Sequence, residues 1–261
     1  MAQEKKIRQV VLDTETTGLK VSQGHRVIEI GCVELVDRKR TGRTFHAYLN
    51  PAGQAIEPEA FKIHQISPEF LADKPLFSQV ANDFVNFVSG AEVLIHNAAF
   101  DEGMLSAELA RINKPPLWKL CKITDTYPIA KGLLSGGDGA EGADGEKKKP
   151  KGYGLDPLCK FLGIDLSARE EKGHGALLDA ELLADVYLKM TEGRDAFIDD
   201  AAIGREPRPP VVFVENRKPG AIFALSDEDC ARHEAYLDDL ERATKKPSVW
   251  RAGAPAKSPS P

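Results

Sequence analysis

Two carboxylates at alternate positions close the first apolar run of the chain. Val10, Val11 and Leu12 form this run, and Asp13 and Glu15 follow it. Because strand side chains alternate between faces, the two acids point the same way at the edge of a sheet. Like charges this close favour a divalent cation between them, and hard oxygen ligands favour Mg²⁺ or Mn²⁺. The alternative is a solvated pair at a strand end, and the triplet alone does not decide between the two.

Hydrophobic periodicity predicts an α/β fold with a mixed central sheet flanked by helices. Strands are predicted over residues 7–13, 27–36, 44–49 and 93–95. Helices are predicted over residues 75–88, from about residue 101 to about residue 113, and over residues 177–190. A further ordered stretch is predicted at 155–162. The turn at 37–42 has more than two residues in its loop and makes a hairpin. A hairpin followed by strands that alternate with helices is typical of an α/β domain.

At 261 residues, the chain is long enough to form one main hydrophobic core with a small appendage. Its net charge of −5 provides no basic surface for gripping long nucleic acid. An acidic nuclease remains compatible with this charge if it binds a short substrate end weakly or is delivered by a partner. Four scattered cysteines indicate reduced thiols. Without a signal peptide or an apolar run that spans a bilayer, we expect a cytoplasmic protein.

Changes in composition divide the chain into segments. Residues 1–192 are predicted to form the main domain, which contains a disordered, glycine-rich and lysine-rich insertion at about 135–151. A linker is predicted at 193–220, because this stretch is rich in proline and charge. Residues 221–252 contain a capped helix, and residues 253–261 form a disordered tail.

Three further residues accompany the first pair of acids. Asp101 opens the helix after a strand, where strand ends converge. It also fits an ordinary acid that interacts with the helix dipole. His174 and Asp179 differ by about 140° on a helix, so a working pair requires His174 in the loop before the helix. A histidine on a flexible lip suits a general base, although a surface histidine and a solvated carboxylate remain the alternatives.

Taken together, these residues resemble the DEDDh family of 3′–5′ exonucleases. The likeness covers residues 7–190, with Asp13 and Glu15 in the first motif, Asp101 in the second and His174 with Asp179 in the third. It implies a ribonuclease H-like fold and hydrolysis assisted by two divalent metal ions. Asp13, Glu15, Asp101 and Asp179 would hold the metals, and His174 would take the proton from the attacking water.

Further stretches of the sequence resemble one particular group within the DEDDh family. Residues 12–18, 96–101 and 174–180 resemble the proofreading epsilon subunits of bacterial DNA polymerase III, as does the stretch from residue 58 to 64. In those subunits, the residues that match Glu59 and His64 contact the terminal nucleotide, together with those that match Asp13, Glu15 and Asp179. The resemblance therefore implies removal of mismatched nucleotides from DNA 3′ ends.

The C-terminal segment resembles the part of epsilon subunits that binds the polymerase alpha subunit, and Leu237, Leu240 and Trp250 are its candidate contact residues. A short helix behind a linker is marginal unless it docks on a partner, although it could also fold back on its own domain. Epsilon subunits often carry a sliding-clamp peptide that begins near a glutamine and ends in phenylalanine. Here Glu192 replaces the glutamine and Phe197 is kept, so we expect weak or absent clamp binding.

Two other functions share these motifs. A ribonuclease of the same fold would trim RNA 3′ ends with the same carboxylates. A non-catalytic adaptor would not need the complete set of four carboxylates and one histidine. The C-terminal segment favours the proofreading function, because an independent RNA-trimming enzyme has no need of a polymerase tether.

Overall fold

A computed structural model describes residues 7–134, 140–141, 147–192 and 238. The strands of its main sheet are β1 (Arg8–Thr16), β2 (Val27–Val36), β3 (Lys39–Tyr48), β4 (Glu92–Ile95) and β5 (Lys122–Asp125). Their order is β3-β2-β1-β4-β5. The first three strands pair antiparallel, and β4 and β5 continue parallel to β1. This confirms the predicted α/β class with a mixed sheet.

Nine α-helices have defined bounds in the described part of the chain, which also contains a 3₁₀ helix at Val21–Gln23. They are α1 (Pro58–His64), α2 (Pro68–Leu71), α3 (Phe77–Val88), α4 (Ala99–Arg111), α5 (Leu117–Leu120), α6 (Thr126–Leu134), α7 (Leu155–Leu162), α8 (Ser167–Lys172) and α9 (Ala176–Met190). The predicted helices correspond to α3, α4 and α9. Strand β5 was not predicted, because Ile123 is its only apolar residue and the apolar run that marks a buried strand is missing.

The hairpin between β2 and β3 is tighter than predicted. Val36 pairs with Lys39, so Asp37 and Arg38 alone form the loop. Both have positive φ angles, 48° and 61°, as the two central residues of a type I′ turn require. The prediction of a longer loop over 37–42 is therefore wrong. It failed because an arginine rarely adopts this left-handed conformation, so the sequence did not mark the turn.

Helices cover both faces of the sheet. On one face, Val10 and Leu12 pack in a core with Phe84 of α3 and with side chains of α4. On the other face, Val11 packs in a second core with Leu183 of α9 and with side chains of α6 and α7. Alternation along β1 therefore sends successive side chains into two different cores. The face that carries Val11 continues towards Asp13 and Glu15.

The chain divides into two compact units, Met1–Pro207 and Arg208–Pro261. Within the predicted insertion, Ala140–Glu141 (β6) pairs antiparallel with Lys147–Lys148 (β7), and residues 135–139 and 142–146 lie outside the described residues. The predicted linker, tail and docking segment also lie outside them, apart from Asp238, which is helical and exposed. The predicted domain boundaries stay predictions.

Cys32, Cys121 and Cys159 are buried free thiols, and Cys230 lies outside the described residues. None of the helices in the described ranges has the length and apolar character that crossing a bilayer requires.

Candidate active site

The first two acids lie at the carboxyl end of β1. Asp13 and Glu15 are partly buried, two residues apart in the strand. They continue the face on which Val11 packs against α9. Because β1 is the central strand, its carboxyl end meets that of β4, which runs parallel to it. The third acid enters from the chain that follows β4.

Asp101 lies in the first turn of α4, four residues after the tight turn at Asn97. Asp101 is buried, with only 4% of its surface exposed. Thr14 Oγ1 donates a hydrogen bond of 2.6 Å to Asp101 Oδ1. The position near the helix N-terminus also stabilises a carboxylate through the dipole. Thr14 therefore ties the second acidic motif to the strand that carries the first.

Asp179 and His174 come from the last helix and the loop before it. Asp179 lies in the first turn of α9 and is buried, whereas His174 precedes that helix in the loop after α8. Gly173 has a φ of 77°, a conformation that glycine adopts without the steric cost of a side chain. His174 Nδ1 lies 3.4 Å from Asp179 Oδ2, and the His174 side chain is 38% exposed. The histidine is therefore open to solvent beside a buried carboxylate.

These side chains surround one cavity of about 240 Å³. Its lining includes Asp13, Glu15, Asp101, Arg169, His174 and Asp179. The five residues that the sequence marked as acids or base thus lie around one space, although they come from three separate segments. Their individual roles stay predictions.

Burial and like charges raise the pKa values of the clustered carboxyls. For Asp13, burial is the largest cause, and the charges of Asp101, Asp179 and Glu15 add to it, so its pKa lies well above the ordinary value. Burial raises the pKa of Glu15 to about 8, with further contributions from Asp179 and Glu29. Burial also raises the pKa of Asp101 to about 6. At neutral pH this cluster therefore has to hold protons or take up a cation.

Arg169 of α8 is a cation in contact with this cluster. Its Nη2 donates to Asp179 Oδ2 at 2.9 Å and to His174 Nδ1 at 2.7 Å. Its positive charge lowers the pKa of both Asp13 and Glu15 against the effects that raise them. One guanidinium group thus partly offsets the charge of the carboxylates.

The donor set fits a divalent cation. Ligand atoms of Glu15, His174 and Asp179 all lie within 4.8 Å of one another. Asp179 Oδ1 is buried and has no hydrogen-bond partner among the described residues, and a buried polar atom left unpaired costs stability. A hard cation with oxygen ligands would satisfy this atom and offset the repulsion among the carboxylates.

The two residues that the resemblance assigns to the substrate have different surroundings. Glu59 lies exposed in the first turn of α1. His64 ends α1 and is 4% exposed; its Nδ1 accepts a hydrogen bond of 3.0 Å from the backbone N–H of Ile66. Its Nε2 is buried without a partner among the described residues. His64 and His174 line a second cavity of about 540 Å³, which Glu59 does not line.

Sequence reasoning missed three residues near the site. Glu29 of β2 lies opposite Glu15 in the pairing of β1 with β2 and is 1% exposed. The sequence signal that could have found it is an acidic residue within the apolar run of β2. Thr14 lay unnoticed between the two acids. Arg169 had no local signal, because the loop between α8 and α9 decides whether its side chain meets His174 and Asp179.

The predicted partner-binding residues lie outside the described residues. This applies to Leu237, Leu240 and Trp250, and to Phe197 of the clamp-peptide prediction. Glu192 is described and exposed just after α9. Their predicted roles stay predictions.

Solved structures with this fold include nucleases. The zinc-bound form of Escherichia coli exonuclease I in complex with single-stranded DNA matches with a TM-score of 0.60 at 18% identity, over 71% of this chain. Another structure of exonuclease I matches with a TM-score of 0.59 at 18% identity, over 76% of this chain. The chain spans only 40% and 42% of those proteins, respectively. These similarities show the fold, which is the ribonuclease H-like exonuclease fold that the resemblance implied.

Sequence comparison is more specific. The family model described as exonuclease matches residues 10–187. The chain is 45% identical over 261 residues to the DNA polymerase III subunit epsilon of Haemophilus influenzae, covering 93% of this chain and 94% of that protein. It is 39% identical to the same subunit of Escherichia coli, covering 94% of this chain and 98% of that protein. The chain therefore belongs to the exonuclease family and, within it, to the epsilon subunits of DNA polymerase III.

Proposed function

We propose that this chain is the proofreading subunit of a replicative DNA polymerase III and removes mismatched nucleotides from DNA 3′ ends. One observation supports this most strongly. Asp13, Glu15, Asp101 and Asp179 surround a single cavity with His174 at its rim, in a chain that matches epsilon subunits over nearly its full length. The complete acidic set argues against a non-catalytic adaptor.

In the proposed reaction, Asp13, Glu15, Asp101 and Asp179 would hold two divalent cations, Mg²⁺ or Mn²⁺. When bound, such ions supply positive charge to the attacking and leaving oxygens of a phosphodiester. Exonuclease I of Escherichia coli, which has this fold, has been solved in a zinc-bound form.

The chain's own residues then position water and substrate. His174 takes a proton from the attacking water, whose oxygen forms a bond to phosphorus. The bond between phosphorus and the 3′ oxygen of the preceding nucleotide breaks, which releases a nucleoside monophosphate and leaves a new 3′ hydroxyl on the shortened strand. His64 would contact the terminal nucleotide through its unpartnered Nε2, and Glu59 would contact it from the exposed start of α1.

The partners follow from family membership. The relatives are named as subunits of DNA polymerase III, so we propose a DNA 3′ end as substrate and the polymerase alpha subunit as partner, in the cytoplasm. The C-terminal segment with Leu237, Leu240 and Trp250 would bind the alpha subunit. Sliding-clamp binding through the peptide at Glu192 would be weak or absent.

The test measures hydrolysis by the purified full chain with Mg²⁺ or Mn²⁺. The substrates are a mismatched DNA primer and an RNA oligonucleotide, each with and without the polymerase alpha subunit. We expect faster removal of mismatched DNA ends and stable association with the alpha subunit. Faster removal of RNA without polymerase binding would instead support the exoribonuclease alternative.

Substitutions connect the activity to the cavity. Asp13→Ala should abolish hydrolysis and leave the circular dichroism spectrum unchanged. Asp83→Asn supplies a control, because Asp83 is an exposed carboxylate of α3. Hydrolysis at the wild-type rate by purified Asp13→Ala protein would refute the site assignment.

A further inference from the structure

Arg169 makes contacts that the proposed reaction does not use. Its side chain is only 9% exposed, and it reaches from α8 into the cavity. A single nitrogen, Nη2, donates to both His174 Nδ1 and Asp179 Oδ2. The same group therefore contacts the proposed base and a proposed metal ligand.

This hydrogen bond excludes base catalysis by His174. A neutral imidazole has one protonated nitrogen and one free lone pair. When Nδ1 accepts a hydrogen bond from Arg169, its lone pair is occupied and the ring proton is on Nε2. Neither nitrogen can then take a proton from water. While this hydrogen bond is present, His174 cannot act as the general base.

Arg169 has a second anionic partner outside the acidic cluster. Its Nη1 forms an ion pair with Asp156 in the first turn of α7, and that carboxylate side chain is 46% exposed. Arg169 Nε is buried without a partner among the described residues. The guanidinium thus lies between an acid that faces solvent and an acid that faces the cavity. A rotation of the guanidinium that keeps this ion pair with Asp156 would keep its charge paired while it releases His174 and Asp179.

We propose that Arg169 is a positioning residue that occupies His174 and Asp179 until a cation binds, and that cation binding leaves its guanidinium paired with Asp156 alone and frees His174. Asp179 cannot attract a cation and Arg169 equally in a space of this size, because two positive groups at one carboxylate repel each other. The inference rests on the proposed nuclease function. It predicts that Arg169 competes with the metal ion for Asp179 and so weakens metal binding.

The first experiment observes His174 directly in the metal-free full chain. Histidine ring nitrogens are labelled with ¹⁵N, and spectra are recorded above about pH 8, where an ordinary histidine is neutral. The His174 signals are assigned by their loss in His174→Gln. We expect Nδ1 of the wild type to show the shift of an accepted hydrogen bond. That shift should disappear in Arg169→Met and on saturation of the wild type with Mg²⁺. A Nδ1 signal that neither change affects would overturn the proposal.

The second experiment measures Mn²⁺ affinity by calorimetry without DNA. Arg169→Met should bind Mn²⁺ about tenfold more tightly, since a hydrogen bond to a charged group contributes roughly this much. Asp156→Asn should bind Mn²⁺ more weakly, because the guanidinium then loses its other partner. Arg43→Met is the control, since Arg43 is an exposed arginine of β3 that pairs with Glu34; its Mn²⁺ affinity should equal that of the wild type.

The outcomes separate this proposal from the proposed function. Weaker or unchanged Mn²⁺ binding by Arg169→Met shows that Arg169 does not compete with the metal and refutes the inference. If that variant does not fold, Asp156→Asn still decides, because unchanged or tighter binding has the wrong sign. Neither experiment requires nuclease activity. An inactive wild type with the expected nitrogen shifts and affinities would refute the function and leave the competition established.

Discussion

The contact between Gly31 and helix α9 leads to a quantitative prediction. Gly31 lies in the middle of β2, beside Asp13 in the pairing of β1 with β2. A Cβ atom at Gly31 would lie 2.2 Å from the backbone N of Leu177 and from the carbonyl carbon of Ala176. Glycine inside a strand often marks such an approach of another backbone. We therefore expect Gly31→Ala to push the start of α9 away from the sheet.

The required displacement follows from this distance. Ordinary van der Waals contact begins at 3.4 Å, so the start of α9 would have to move by about 1.2 Å. Such overpacking costs about 1–3 kcal/mol in the free energy of unfolding, or a decrease in Tm of roughly 2–12 °C for a domain of this size. Asp179 is only two residues from Leu177, in the same first turn of α9. A displacement of about 1 Å at a reacting group can reduce the rate on the order of 100-fold.

Thermal unfolding and exonuclease rate test this prediction together, with the rate measured well below the Tm of the variant. Gly103→Ala in α4 is the control, because its Cβ meets nothing within 4 Å. This control should gain about 0.5–1 kcal/mol, as alanine does over glycine in a helix. If Gly31→Ala keeps the wild-type Tm and rate, the close approach of α9 does not position Asp179, and the reasoning fails.

Three other predictions follow from the same region. Thr14→Val removes the hydrogen bond to Asp101 and should weaken Mn²⁺ affinity about 10-fold to 100-fold, as loss of a group that orients a ligand typically does; calorimetry that shows unchanged affinity would contradict this. In EDTA, the free energy of unfolding should fall as pH rises from about 4.5 towards about 8, because folded Glu15 binds a proton that the unfolded chain has lost. The slope is at most ~1.4 kcal/mol per pH unit from this group, and urea titrations that show rising stability over this interval would be inconsistent with it. Gly18→Ala should lower the Tm, because its Cβ would lie 2.5 Å from His25 Cε1; differential scanning calorimetry measures this, and an unchanged Tm would show that His25 moves aside freely.

The fold was predictable where the sequence carries a local pattern. The continuous apolar run before Asp13 indicates a buried strand, and the pattern of α9 has the period of a helix. The type I′ turn at Asp37 and Arg38 and the four-residue strand β5 were not predicted. The first depends on a backbone conformation that arginine seldom adopts. The second depends on pairing with β4, which supplies its hydrogen bonds.

The sequence by itself determined the chemistry of the site, because side-chain type and spacing fix it. Asp13 and Glu15 must share a face of a strand, and His174 must lie off the helix that carries Asp179. Only the tertiary structure decided which groups oppose this chemistry. Glu29 joins the acids through strand pairing, and Arg169 reaches them because the loop at residues 173–175 turns the chain between α8 and α9. Such contacts depend on strand register and on the path of the backbone through a loop, which short-range periodicity does not encode.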